Sequence, residues 1–344
     1  MRMRRFKVPA DQSSGFYHCL SRVVDRRFIF QATEKEHYVA LLRECAAFCR
    51  VRILTFCVLS NHFHILIEVP RRPESALLPG PEEIVADLRR LSGHQDPDAV
   101  QQRLQMFREA NDADGLAGYL ATFHARMYDL SAFMKLLKQR FSQWYNRRTG
   151  RKGTLWEERF KSVLVEGAGR ALMSMAAYID LNPVRAGIVK DPKDYRWSGY
   201  GEAVAGGKQA RRGVQRLAQV LGGGQEPSPS DSLAVYRVHL YREGNEERES
   251  IGEDGRPLRG ALSREEAVKV LVTKGRLPMA EYLRCRVRYF CDGAVFGGQD
   301  FVEGVFRAYR ERFGPNRKTG ARPLSGLTAR GLYVLRDLRQ NVFG

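Results

Sequence analysis

His62 and His64 are separated by one residue in the segment His62-Phe63-His64-Ile65-Leu66-Ile67-Glu68-Val69. A strand repeats every two residues, so both imidazoles, with Leu66 and Glu68, share one face, while Phe63, Ile65, Ile67 and Val69 share the other. Two nitrogen donors side by side on a rigid strand can hold one metal ion; the bland alternative is a polar strand face that contains histidine. A second pair lies in Tyr178-Ile179-Asp180-Leu181-Asn182-Pro183. There Tyr178 and Asn182, four residues apart, project from one face of a helix whose end Pro183 is expected to mark. Asn182 offers a neutral oxygen suited to Mg²⁺ or Mn²⁺, and with two imidazoles it leaves coordination positions open, as a catalytic metal requires. Tyr178 could act as a nucleophile toward phosphorus, or be an ordinary core tyrosine. Tyr145 competes for that role, but Thr149, a poor metal ligand, stands four residues on from it.

Around these residues the chain is basic. Arg147, Arg148, Arg151, Lys152, Arg159 and Lys161, together with Arg140, surround Trp144, Tyr145, Trp156 and Phe160. That mixture suits phosphate contacts with base stacking on a single strand, against the alternative of a solvated basic face. The 57 lysines and arginines outnumber 39 acidic residues, for a net charge of +18 and a pI near 9.9, which favours a polyanionic partner.

The elements that would position these groups follow from periodicity. Strands are expected over 16–22, 52–59, 62–69 and 159–166, with helices over 33–49 (opened by a Thr33 cap), 131–148 and 170–182. The fold class is therefore α+β: a ferredoxin-like or RRM-like antiparallel sheet with helices on one face, the other left for a ligand. Residues 71–130 form a charged insertion with helical stretches at 82–91 and 98–109. The domain reading is a catalytic unit over 1–204, a Gly/Pro/Ser-rich linker over 205–232, and a basic, mainly helical accessory domain over 233–344 that either serves DNA recognition and not the chemical step or is a helical cap that stabilises the catalytic unit.

Composition also excludes. The start lacks a signal-peptide core, and no run of about 18 apolar residues occurs, so no membrane partner and a cytoplasmic location are expected. The six cysteines show no C-x-x-C pairing, which argues against a zinc finger or disulfide framework.

Four ordered segments, Tyr17 to Arg22, Ser60-Asn61-His62-Phe63-His64, Thr154 to Ser162, and Tyr178 to Gly187, together resemble the REP-associated tyrosine transposases. The resemblance spans about residues 16–200. It implies the HUH single-tyrosine transposase fold, with His62, His64 and Asn182 as metal positions, Tyr178 as nucleophile and Arg185 among the DNA-contacting residues. It also implies a 5′-phosphotyrosine intermediate on single-stranded, hairpin-flanked DNA in a bacterial, nucleoid-associated protein, with a homodimer admitted. The long insertion, and Val23-Val24 where the family commonly has Gly-Asn, depart from its pattern. Rival readings are a domesticated hairpin-binding protein that does not cut, and an HUH nicking enzyme of the replication-initiator type. No G-x-x-x-x-G-K-[ST] loop of a helicase is present.

Overall fold

The computed structural model describes residues 5–8, 12–91, 96–221, 228–244, 283, 288–324 and 331–336. Four strands, β1 (Ser14–Arg22), β2 (Arg52–Val58), β3 (His62–Pro70) and β4 (Lys161–Val165), lie in the order β2-β3-β1-β4 with every neighbouring pair antiparallel. The link at Ser60-Asn61 makes β2 and β3 a hairpin, as their spacing predicts. Helix α1 (Ala32–Phe48) crosses from β1 to β2. Its N-cap is Gln31, without a side-chain cap bond, and not Thr33.

The insertion folds as α2 (Pro81–Arg90), α3 (Pro97–Glu109) and α4 (Ala113–His124), the last not foreseen in the sequence. Ile84, Leu88, Val100, Leu104 and Phe123 join these helices to the main core, and Arg50 ties the end of α1 to Glu83 and Asp87 of α2 at 2.6 and 2.7 Å. Helix α5 (Leu130–Thr149) then leads back toward β4, capped by Asp129, whose side chain accepts from the Ala132 N–H, and closed by Gly150 in the left-handed region. Its face of Phe133, Leu137 and Phe141 packs with Tyr38 and Leu42 of α1 on Phe63, Ile65 and Ile67 of β3. Each such fully buried side chain contributes about 1.5–3 kcal/mol of hydrophobic stabilisation.

α1 and α5 thus occupy one sheet face, as expected, but the opposite face is not left open. Helix α6 (Gly169–Asp180) and the short helices α7 (Asn182–Arg185) and α8 (Gly199–Val204) follow β4. Behind them come α9 (Lys208–Leu221) and α10 (Pro229–Gly244). Together they build a second core over Phe16, Leu54, Cys57, Leu66 and Val163. Much of the expected linker is therefore a packed helix; residues 222–227 lie outside the described residues. Ala210, Val214 and Leu217 give α9 a buried stripe, and Gly213 lets it lie flat on β2, because a Cβ there would come within 2.3 Å of the Leu54 carbonyl oxygen. Arg216 of α9 also grips the buried Glu68 carboxylate of β3 at 3.2 Å.

The C-terminal region has the helices expected of it and also adds strands to the sheet. After α11 (Tyr289–Asp292), β5 (Val295–Gly297) pairs in parallel with β4; beyond α12 (Gln299–Ala308), β6 (Arg322–Pro323) and β7 (Tyr333–Val334) complete a seven-stranded sheet. Within the expected helical region, residues 245–282 and 284–287 lie outside the described residues. No helix among the described residues is long and apolar enough to cross a membrane.

Candidate active site

His62, His64, Tyr178 and Asn182 line one cleft of about 400 Å³ at the edge of the second face. The alternation of β3 sends both imidazoles to that face, where their ring centroids lie 5.1 Å apart. α6 brings Tyr178, whose ring centroid is 6.1 Å from that of His64. Pro183 does not end the helical path: Leu181 keeps helical dihedrals and α7 adds a turn, so Asn182 stays on the face of Tyr178. The end of α6 is fixed by Asp180, fully buried, which accepts from Thr55 Oγ1 at 2.7 Å, Tyr236 Oη at 2.5 Å and the Tyr200 N–H at 3.2 Å.

Hydrogen bonds set the ring tautomers. The Phe290 carbonyl can only accept, so His18 donates to it from Nδ1 at 2.7 Å. Burial lowers the His18 pKa to about 4, which keeps the ring neutral and makes Nε2 an acceptor. His64 Nδ1, 2.8 Å away, therefore donates to His18, and Nε2 is the lone-pair nitrogen of His64. Asn61 acts likewise on His62. Its Nδ2 donates to the Arg26 carbonyl at 3.0 Å, which turns Oδ1 toward His62 Nδ1 at 2.6 Å. Each imidazole is thus oriented by a hydrogen bond at Nδ1, an arrangement compatible with metal ligation through Nε2.

Asn182 adds a carboxamide that is 8% exposed and whose Nδ2 has no hydrogen-bond partner. A buried polar atom in that condition costs about 1–3 kcal/mol until something enters the cleft to satisfy it. Among the described residues no group of three His, Cys, Asp or Glu could hold a metal ion, so any such site depends on the carboxamide. Two imidazoles and one amide oxygen suit an open, catalytic ion better than a closed structural one.

Tyr178 is held from the C-terminal side. Phe290 stacks on its ring at 4.5 Å and 12°, Cys291 Sγ lies 3.5 Å from its hydroxyl, and the Arg185 guanidinium lies 4.1 Å from the ring centroid. Arg185 is itself anchored on the carbonyls of Tyr178 and Leu283. Leu283, Phe290 and Cys291, from the region expected to be an accessory domain, therefore form part of the wall behind the tyrosine.

Residues 11–76 match the family model described as Transposase IS200 like. The match takes in β1, α1, β2 and β3, and so both His62 and His64; Tyr178 and Asn182 lie beyond it. The role that follows is transposase-like DNA processing. Among solved structures the chain is similar to one described as "Structure of the REP associates tyrosine transposase bound to a REP hairpin", at 16% identity and a TM-score of 0.37, covering 60% of this chain and 87% of that one. No curated protein matches the chain.

The expected basic residues divide. Arg159, Lys161 and Arg185 line the cleft, and so do Arg22 and Arg26, which the sequence reading did not single out. Arg26 reaches it from a turn where both Asp25 and Arg26 have positive φ, 56° and 54°, a conformation costly for such residues. The segment before β4 is pinned to the end of β1 by Val24 N–H to Leu155 O at 3.0 Å and Glu157 N–H to Arg22 O at 3.0 Å, which carries Arg159 to the cleft. Arg147, Arg148, Arg151 and Lys152 lie instead around the C-terminal end of α5, outside the cleft lining. Trp156 is no stacking platform. Its ring is buried among Phe30, Phe63 and Phe141, and its Nε1 donates to Lys138 O at 3.1 Å and Ser142 Oγ at 2.8 Å. Tyr145 packs on Phe141 and is absent from the cleft lining. His18 is the functional residue most clearly missed; its position two residues from Leu20, the β1 partner of His64, was the available signal.

Proposed function

We propose that this protein cleaves and rejoins single-stranded DNA through a covalent bond between Tyr178 and a 5′-phosphate. The observation that carries this reading is the meeting of His62, His64, Tyr178 and Asn182 in one cationic cleft. His62 Nε2, His64 Nε2 and the Asn182 carboxamide oxygen would hold a divalent ion, and the imidazoles favour Mn²⁺ over the harder Mg²⁺. When bound, that ion supplies Lewis-acid polarisation of the phosphate.

The chain's own groups supply the rest. Tyr178 Oη attacks phosphorus, a P–O bond to the phenol forms, and the bond to the 3′-oxygen breaks; the phenol proton passes to water and the 3′-oxygen leaves as a hydroxyl. Reversal with a second 3′-hydroxyl rejoins the strand, since the phosphotyrosine retains the phosphodiester's energy. Arg185 and Lys161 offset negative charge as the phosphate approaches. Phe290, stacked on the phenol, excludes water from one side of the ring and limits loss of the intermediate by hydrolysis.

The test is covalent capture: hairpin-bearing single-stranded oligonucleotides, incubated with Mn²⁺ or Mg²⁺ and run on denaturing gels, should yield a protein–DNA adduct that Tyr178→Phe abolishes. Undiminished adduct in that variant moves the nucleophile elsewhere.

A further inference from the structure

A second, larger groove of about 950 Å³ runs on from the catalytic cleft; Glu158, Arg159, Lys161, Cys291 and Asp292 line both. Its walls come from parts of the chain far apart in sequence: Arg5 and Lys7 ahead of β1, Lys135 and Lys138 on α5, and Arg312 and Arg336 in the C-terminal region. With Arg159 and Lys161 these make eight cationic side chains against two carboxylates. One of those carboxylates, Asp292, is taken by Lys161 at 3.1 Å. Lys135 and Arg336 are exposed.

The groove is also built to keep its shape. Arg5 donates from Nε to Ser162 Oγ at 2.7 Å and lies over the Phe160 ring at 4.0 Å. Arg312 stacks on Tyr309 at 4.1 Å and donates to the Arg5 carbonyl at 3.3 Å. Lys7 and Arg312 also pair with Asp129 and Glu311 at 3.5 Å each, which leaves the groove lining net cationic; guanidiniums held in place by rings and hydroxyls form a preorganised track for phosphates.

We infer that this groove holds the single-stranded DNA flanking the scissile phosphate, so that the N-terminal segment, α5 and the C-terminal region together guide one unpaired strand into the cleft. The inference rests on the strand-cleavage reading of that cleft. An unpaired strand is favoured over a duplex because Tyr178 is only 2% exposed: its phenol lies at the bottom of a cleft of about 400 Å³, too confined for a phosphate that carries a paired second strand beside it.

The test measures binding alone. Lys135→Glu/Arg336→Glu in the full chain is compared with the unaltered chain by fluorescence anisotropy, in chelator and with no cleavage, using a labelled single-stranded 20-mer, a trinucleotide and a 20-base-pair duplex. The 20-mer should bind about tenfold more weakly, with a salt slope smaller by roughly 1–2 as about two phosphate contacts are lost, while the trinucleotide should be unaffected. Equal loss on the duplex, or no loss on the 20-mer with the fold intact by circular dichroism, overturns the inference. Because the two sites are read by different assays, a chain that forms no adduct with Tyr178 yet shows this strand-specific loss would sink the catalytic reading and keep the groove.

Discussion

Nε2 of His18 lies 2.8 Å from Nδ1 of His64, a pairing that the β1–β3 register creates by setting Leu20 opposite His64 and Leu66 opposite His18. It makes His18 a positioning residue for the histidine that lines the cleft. His18→Phe keeps the bulk and removes the acceptor, so His64 loses the bond that fixes its tautomer. Mn²⁺ affinity, measured by calorimetric titration of the full chain, should fall by ~10–100-fold. Affinity equal to that of the unaltered protein would mean the tautomer is set from elsewhere.

The C-terminal wall gives a second expectation. A chain cut after residue 207 loses α9, α10 and β5, uncovering Leu54, Cys57 and Leu66 and removing Phe290 from Tyr178. It should fail both to fold cooperatively and to form the adduct. Phe290→Leu in the full chain separates the two effects: stability should fall by about 1–2 kcal/mol in urea titrations, while adduct yield should fall disproportionately because the stack on the phenol is gone. Adduct yield that tracks only the folded fraction would reduce Phe290 to a packing residue.

Asp180 predicts a pH dependence. Burial raises its carboxyl to about 6, against three hydrogen bonds that lower it. The native state thus holds this proton more tightly than the unfolded chain, whose value is the usual carboxylate one. The stability this group confers is complete below about pH 4 and is lost as pH rises through 6. Relative to Asp180→Asn, the unaltered protein should lose roughly 2 kcal/mol between pH 4 and pH 7; parallel stability curves for the two chains would refute it.

Trp156→Phe should leave the affinity for single-stranded DNA unchanged and cost about 1–2 kcal/mol of stability, since Lys138 O and Ser142 Oγ lose a shared donor inside the core. A loss of DNA affinity at unchanged stability would restore its role as a base-stacking ring.

Much of the catalytic half was legible because its signals are local. The alternation in 62–69 put both histidines on one face, and the four-residue step from Tyr178 to Asn182 survived even though Pro183 continues the helix instead of ending it. What escaped depends on contacts across long sequence distances. α9 carries a helical stripe at Ala210, Val214 and Leu217, but it is flanked by Gly206-Gly207 and Gly222-Gly223-Gly224, and that composition reads as a linker. β5 is three residues long, too short for periodicity to declare. Trp156 had the right neighbours for stacking, but its burial is decided by Phe30 and Phe141, which no spacing rule links to it.

The parallel pairing of β4 with β5, and the Phe290–Cys291 wall it brings against Tyr178, also set an order of events during synthesis. The phenol and the Cys291 thiol are 113 residues apart, so at roughly 5–20 residues per second the ribosome needs on the order of ten seconds to make the second after the first. Through that interval a nascent chain already holds both cleft histidines and Tyr178, yet lacks the carbonyl that fixes His18 and the ring that seats Tyr178. The cleft around Tyr178 would thus be completed late in translation, after most of the sheet that carries its histidines has been made.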